Sequence, residues 1–135
     1  MSPELLHPEH FNIQNSQPTK ESDCYALGMV ILEVLSGQAP YHQFREVVVM
    51  RMVIEGVHPE RPEGPWFTDD LWRTLEQCWE PQFKDRPTIE AVLEYLEQVP
   101  VACQSLHPGV GKDDKIGDET VSIMCHYCMF FIKFY

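Results

Sequence analysis

The sequence predicts an all-α fold, a short series of helices followed by a separate C-terminal tail. Three observations carry that prediction. Ser22 to Leu35 is almost wholly apolar, with Leu27, Val30, Ile31, Val34 and Leu35 at the i, i+3, i+4, i+7, i+8 spacing of a helix. Further along, Leu71, Trp72, Leu75, Cys78 and Trp79, then Ile89, Val92, Leu93 and Leu96, fall at helical spacing. Gly37, Gly56, Pro81 and Pro100 stand where helix stop signals belong.

Taken in order, residues 1–21 are rich in Pro, His, Asn and Gln and read as one short helical turn near Pro3–Leu6, then loop. Ser22 or Asp23 is the expected cap of the next helix. Its stripe, with Met29 and Leu32 on the opposite side, predicts burial on nearly every side, up to a left-handed Gly37. Gln43 to Glu55 mixes strand-favouring Val47-Val48-Val49 with charges over a dozen residues; Gly56 as a terminator decides for helix. His58 to Pro65 carries three prolines and is expected to be loop. Thr68 caps a third helix, with Asp69 and Asp70 at the end where the macrodipole favours them, and Pro81 stops it. After the loop Gln82–Pro87 a last helix starts at Thr88, with Glu90, Glu94 and Glu97 facing solvent.

The character changes beyond Pro100. Residues 100–120 read as a Gly- and charge-rich linker, and 121–135 as an intensely apolar, aromatic tail. The expected organisation is therefore 1–99 helical, then linker, then tail.

Composition narrows the function. The chain's 135 residues suit one domain, and their formal net charge is −11. That balance, with Lys and Arg scattered, argues against nucleic acid and anionic membrane as partners. Five cysteines (Cys24, Cys78, Cys103, Cys125, Cys128) at irregular spacing fit free thiols in a reducing compartment. The N-terminal residues do not form a signal peptide, so an intracellular, cytoplasmic location is expected.

Three pieces occur in a fixed order: Ser2-Pro3-Glu4, then Asp23-Cys24-Tyr25-Ala26-Leu27-Gly28, then Cys78-Trp79 with Lys84-Asp85-Arg86-Pro87. Together they resemble the C-terminal part of the helical C-lobe of a protein kinase domain, nearest the tyrosine-kinase-like and tyrosine kinase groups. The likeness covers about residues 1–99. It implies a partial C-lobe bundle whose helices resemble the family's F, G, H and I. Ser2-Pro3-Glu4 is similar to the A-P-E that ends the kinase activation region. By resemblance, Glu4 pairs with Arg86. Asp23 is the helix-F aspartate that anchors the catalytic loop. Gly28, Trp79 and Pro87 are structural residues of the same motifs. For Asp23, the reading from local residues alone is an ordinary helix cap.

The resemblance implies a parent that phosphorylates protein Ser/Thr or Tyr using ATP and Mg. Phosphoryl transfer needs a Gly-rich loop, a strand lysine, a catalytic-loop aspartate and a D-F-G aspartate. The sequence contains no G-x-G-x-x-G, H-R-D or D-F-G. No catalytic, cofactor or metal residue is therefore expected in this chain. Truncation of a longer reading frame is the expectation, with a marginally stable product inactive on its own. The implied partners are a protein substrate or a partner kinase. The alternative is a non-catalytic, pseudokinase-like interaction module.

Two other features invite a binding or membrane reading. Cys125-His126-Tyr127-Cys128 has C-x-x-C spacing but no second pair to complete a zinc site. The tail from Val121 to Tyr135 is shorter than the roughly 20 residues of a spanning helix and is interrupted by His126 and Lys133. Neither zinc binding nor a membrane anchor is expected. The other histidines, in polar or Pro-rich loops, read as solvated.

Overall fold

Side-chain capping by Thr19 and Thr68 sets two of the helix starts in the computed structural model, which describes residues 1–14, 17–64 and 66–98. Among the described residues, five α-helices run Pro3–Leu6 (α1), Lys20–Ser36 (α2), Glu46–Ile54 (α3), Asp69–Cys78 (α4) and Ile89–Gln98 (α5). No strand occurs among the described residues. The all-α expectation holds. The linker at 100–120, the tail at 121–135 and the C-x-x-C pair within it lie outside the described residues.

The start of α2 corrects the sequence reading. Thr19, not Ser22 or Asp23, is the cap, and the helix begins at Lys20. The Thr19 side chain accepts from the Ser22 amide at 3.2 Å, while the Ser22 hydroxyl accepts from the Thr19 amide at 2.8 Å. This reciprocal box satisfies two otherwise orphaned amides, which neither Ser22 nor Asp23 does as a lone cap. Gly37 ends the helix at φ 70°, and its amide donates to the Glu33 carbonyl.

Elsewhere the differences are small and have local causes. Pro8–Phe11 and Phe83–Asp85, both expected as loop, close into single 3₁₀ turns. α3 is shorter than the expected Gln43–Glu55, because the Phe44 amide is used in a turn with the Tyr41 carbonyl. Thr68 caps α4 as expected, accepting from the Leu71 amide at 3.3 Å.

The chain divides into two units, Met1–Ile89 and Glu90–Tyr135. In the first, α2 packs on α4 and α1 on α3. Its core joins Cys24, Tyr25, Ile31 and Leu32 of α2 to Leu71, Leu75, Cys78 and Trp79 at α4, with Tyr41, Val53 and Phe67 completing it. The described part of the second unit is a helical segment with Leu93 and Leu96 on one face and Glu90, Glu94 and Glu97 exposed.

Burial of α2 on nearly every side is not what the structure shows. Asp23, Ala26, Val30 and Glu33 form an open stripe, and Val30 is 50% exposed. These positions lie at helical spacing on one face. α4 and the Phe83–Asp85 turn cover other parts of the helix, leaving this apolar and acidic face to solvent.

Candidate functional site

The densest polar cluster of the first unit is built around Arg86. Pro87 follows it and bars the helical region, so Arg86 takes an extended backbone at φ −70° and ψ 145° after the Phe83–Asp85 turn. From there the guanidinium reaches inward. It donates to both carboxylate oxygens of Glu4, at 2.7 and 2.9 Å, in a bidentate pair. It also donates to the Glu21 carbonyl at 2.9 Å and the Glu80 carbonyl at 2.9 Å. Its plane lies over the Tyr25 ring, 5.0 Å from the centroid. One side chain thereby ties together α1, the first turn of α2 and the segment after α4.

Glu4 is delivered by α1, where Pro3 sits at the first helical position and needs no amide partner. The Glu4 and Arg86 side chains are 3% and 0% exposed. Burial pushes the Glu4 carboxyl upward, but hydrogen bonding and charge from Arg86 outweigh it, leaving the group below the usual carboxylate range. A pair this enclosed survives because its geometry is bidentate and the guanidinium also donates to two backbone carbonyls.

A second contact lies between α2 and α4. Gly28 faces the Trp79 indole, and an added Cβ would stand 2.7 Å from Nε1 and 2.9 Å from the Cys78 Cβ. Trp79 in turn meets the edges of Trp72 at 5.6 Å and His58 at 5.7 Å. Cys24 of α2 and Cys78 of α4 are both free and fully buried. Neither the Gly28–Trp79 contact nor the Tyr25–Arg86 stack was legible in advance. Both depend on which face of α2 meets α4, and an apolar pattern on several sides does not specify that.

The structure brings Glu4 and Arg86 into one site, and Gly28 and Trp79 into another. Pro87 sets the backbone of the first. Asp23 joins neither; it lies exposed in the first turn of α2, on the open stripe.

The described residues do not fit a Mg-ATP site. Among them no group of three His, Cys, Asp or Glu side chains is placed to hold a metal ion. A recess of about 160 Å³ beside Leu32, Tyr41 and Pro59 has Arg61 at its edge, but that guanidinium is committed to Asp69 at 2.8 Å and to the Phe67 carbonyl. A second recess, of about 380 Å³, is edged by Glu80 and Asp85, which repel phosphate. No described helix is long and apolar enough to cross a membrane.

Residues 1–96 match the family model described as protein tyrosine and serine/threonine kinase. The chain is 27% identical over 99 residues to a probable serine/threonine-protein kinase, gdt4, of Dictyostelium discoideum, covering 73% of this chain and 6% of that protein. It is 28% identical over 99 residues to the dual specificity protein kinase shkC of the same organism, covering 73% and 18%. It is 28% identical over 85 residues to the tyrosine-protein kinase Src64B of Drosophila melanogaster, covering 62% and 15%. The chain thus spans less than a fifth of each of these relatives. With 1–96 matched as one continuous stretch, and Glu4 and Arg86 near its two ends joined in the fold, the chain belongs to the protein tyrosine and serine/threonine kinase family.

Proposed function

We propose that this chain is the scaffold and substrate-side portion of a kinase catalytic domain whose whole phosphorylates protein Ser/Thr or Tyr with ATP and Mg. The observation that carries this reading is the bidentate Glu4–Arg86 pair. It ties the Ser2-Pro3-Glu4 segment, which in kinases closes the activation region, to the helices behind it. A rigid post at that point fixes the end of the segment against which a protein substrate is presented. Asp23, exposed on the open face of α2, is free to accept backbone amides of a catalytic loop supplied by the rest of such a domain. By itself the chain carries no nucleotide chemistry and is inactive.

The test is a graft of residues 1–98 in place of the corresponding segment of an active tyrosine-kinase-like kinase. A folded graft should autophosphorylate, and Asp23→Ala should abolish activity while preserving the cooperative melt. The free chain should show no Mg-ATP-dependent thermal shift. A clear shift of the free chain, or a folded but inactive graft, would overturn the proposal.

A second reading, a non-catalytic module that binds a kinase or its protein substrate, has one specific observation in its favour. α3 presents an apolar row to solvent, with Val47 74% and Met50 41% exposed, continued by Phe44. Binding of a kinase by the free chain, lost on Val47→Asp, would support this reading over the first.

A further inference from the structure

α3 turns one face inward and leaves the other uncovered. It packs on α1, with Val53 buried and Val49 and Met52 half-buried. Val47, Met50 and Ile54 stand on the opposite side at i, i+3 and i+7, the spacing of a coiled-coil seam. Val47 is 74% exposed, Met50 is 41% exposed and Ile54 is half-buried. Phe44 and Val57, which flank the helix in the chain, are exposed as well. One charged residue borders the seam on each side. Glu46 and Arg51 are both exposed and lie roughly 140° apart around the helix axis. With Val47 and Ile54 at the a positions and Met50 at d, Glu46 falls at g and Arg51 at e.

We propose that two copies of this chain associate through α3, the helices lying parallel about a two-fold axis with Val47, Met50 and Ile54 against their counterparts. Charge selects both the occupant and the direction. In a parallel pair the g position of one helix faces the e position five residues on in the other, so Glu46 of each copy meets Arg51 of the other. The two-fold makes that contact twice. In an antiparallel pair Glu46 would face Glu46 and Arg51 would face Arg51, which like-charge repulsion disfavours. The face is therefore self-complementary in one orientation, and a second copy supplies both the apolar surface and the charges that it needs.

Three features set the strength of the pairing. Arg51 already donates to Glu55 at 2.7 Å, but both side chains are open to solvent, so this contact yields to a new partner at little cost. α3 has nine residues, about 14 Å of helix, whereas stable interfaces bury roughly 1,200–2,000 Å². The dimer is therefore weak and reversible. The net charge of −11 on each copy opposes association at low salt. A Debye length of about 8 Å at physiological ionic strength removes most of that long-range repulsion and leaves the apolar seam intact. The pairing needs neither a nucleotide nor the rest of a kinase domain, and so stands apart from the catalytic reading.

The test is sedimentation velocity of the full chain over a concentration series at physiological ionic strength. The weight-average mass should rise from monomer toward dimer. Val47→Asp, at a position open to solvent, should stay monomeric where the unsubstituted chain is half dimeric, with unchanged helical circular dichroism. Glu46→Lys and Arg51→Glu should each weaken association several-fold. The double reversal should restore it, because opposite charges again meet across the two-fold. A chain that is monomeric at every concentration would overturn the proposal. So would equally strong association of Val47→Asp, the result expected of contact through residues 121–135. Single reversals without effect would overturn the parallel pairing. If Val47→Asp does not fold, the single and double charge reversals decide.

Discussion

Gly28 and Trp79 occupy what would otherwise be the same space. A Cβ on Gly28 would come within 2.7 Å of the indole nitrogen, nearer than a real Cβ approaches a neighbouring atom, and the Trp79 side chain is fully buried. The absent side chain is therefore what lets α2 and α4 share a core layer. A glycine inside a helix ordinarily weakens it, so the reason for this one lies in the contact.

Gly28→Ala separates those two effects. Helix propensity alone would stabilise the chain by about 1 kcal/mol. Overpacking against a buried ring and the Cys78 Cβ costs about 1–3 kcal/mol. The expected outcome is a lower urea midpoint with an unchanged slope. A raised midpoint would show that the α2–α4 contact gives way freely.

The Glu4–Arg86 pair calls for a double-mutant cycle. Glu4→Ala leaves a buried guanidinium uncompensated and should cost about 3–5 kcal/mol. Arg86→Met leaves the carboxylate in the same position, with a similar cost. The double variant should be much less destabilised than the sum, because no unpaired buried charge remains. Additive losses from chemical denaturation would mean that the two groups contribute independently.

The pH dependence follows with a definite sign. In the unfolded chain Glu4 titrates near pH 4.3, roughly. In the fold, Arg86 holds it lower despite burial. A group whose folded value is depressed contributes stability that is complete above the unfolded value and is lost as pH falls through the folded one. Urea midpoints should therefore drop steeply below about pH 4.3, and Glu4→Gln should flatten that drop. An equally steep drop in the variant would assign the acid sensitivity to other carboxylates.

How much could be read in advance depended on the range of the interaction. Thr68 and Gly37 act through neighbours a few residues away; Thr68 starts α4 and Gly37 ends α2 where the sequence indicated. The segments carrying Glu4 and Arg86 were legible as a family motif, although they stand far apart in the chain. The open face of α2 was not legible. An apolar residue such as Val30 states only that a surface can be covered, and in this chain nothing in the first unit buries it fully. The approach of Gly28 to Trp79 was hidden for a related reason: helical periodicity gives the face of a helix, but not which neighbour meets it.

The start of α2 distinguishes a capping residue from a functional one. Thr19 holds the Ser22 amide and Ser22 returns the bond, so Thr19→Ala should cost about 1 kcal/mol and reduce helical circular dichroism near the midpoint. Asp23 sits in the same turn with its side chain exposed. Near the positive end of the helix it gains a little from the macrodipole, an effect that salt screens. Asp23→Ala should therefore leave the stability of the free chain almost unchanged, with the small remaining difference vanishing at high salt. Its large effect should appear only in the grafted kinase, where a catalytic loop can use the carboxylate. A loss in the free chain equal to that of Thr19→Ala would make Asp23 a structural cap and remove the reason to assign it a role in catalysis.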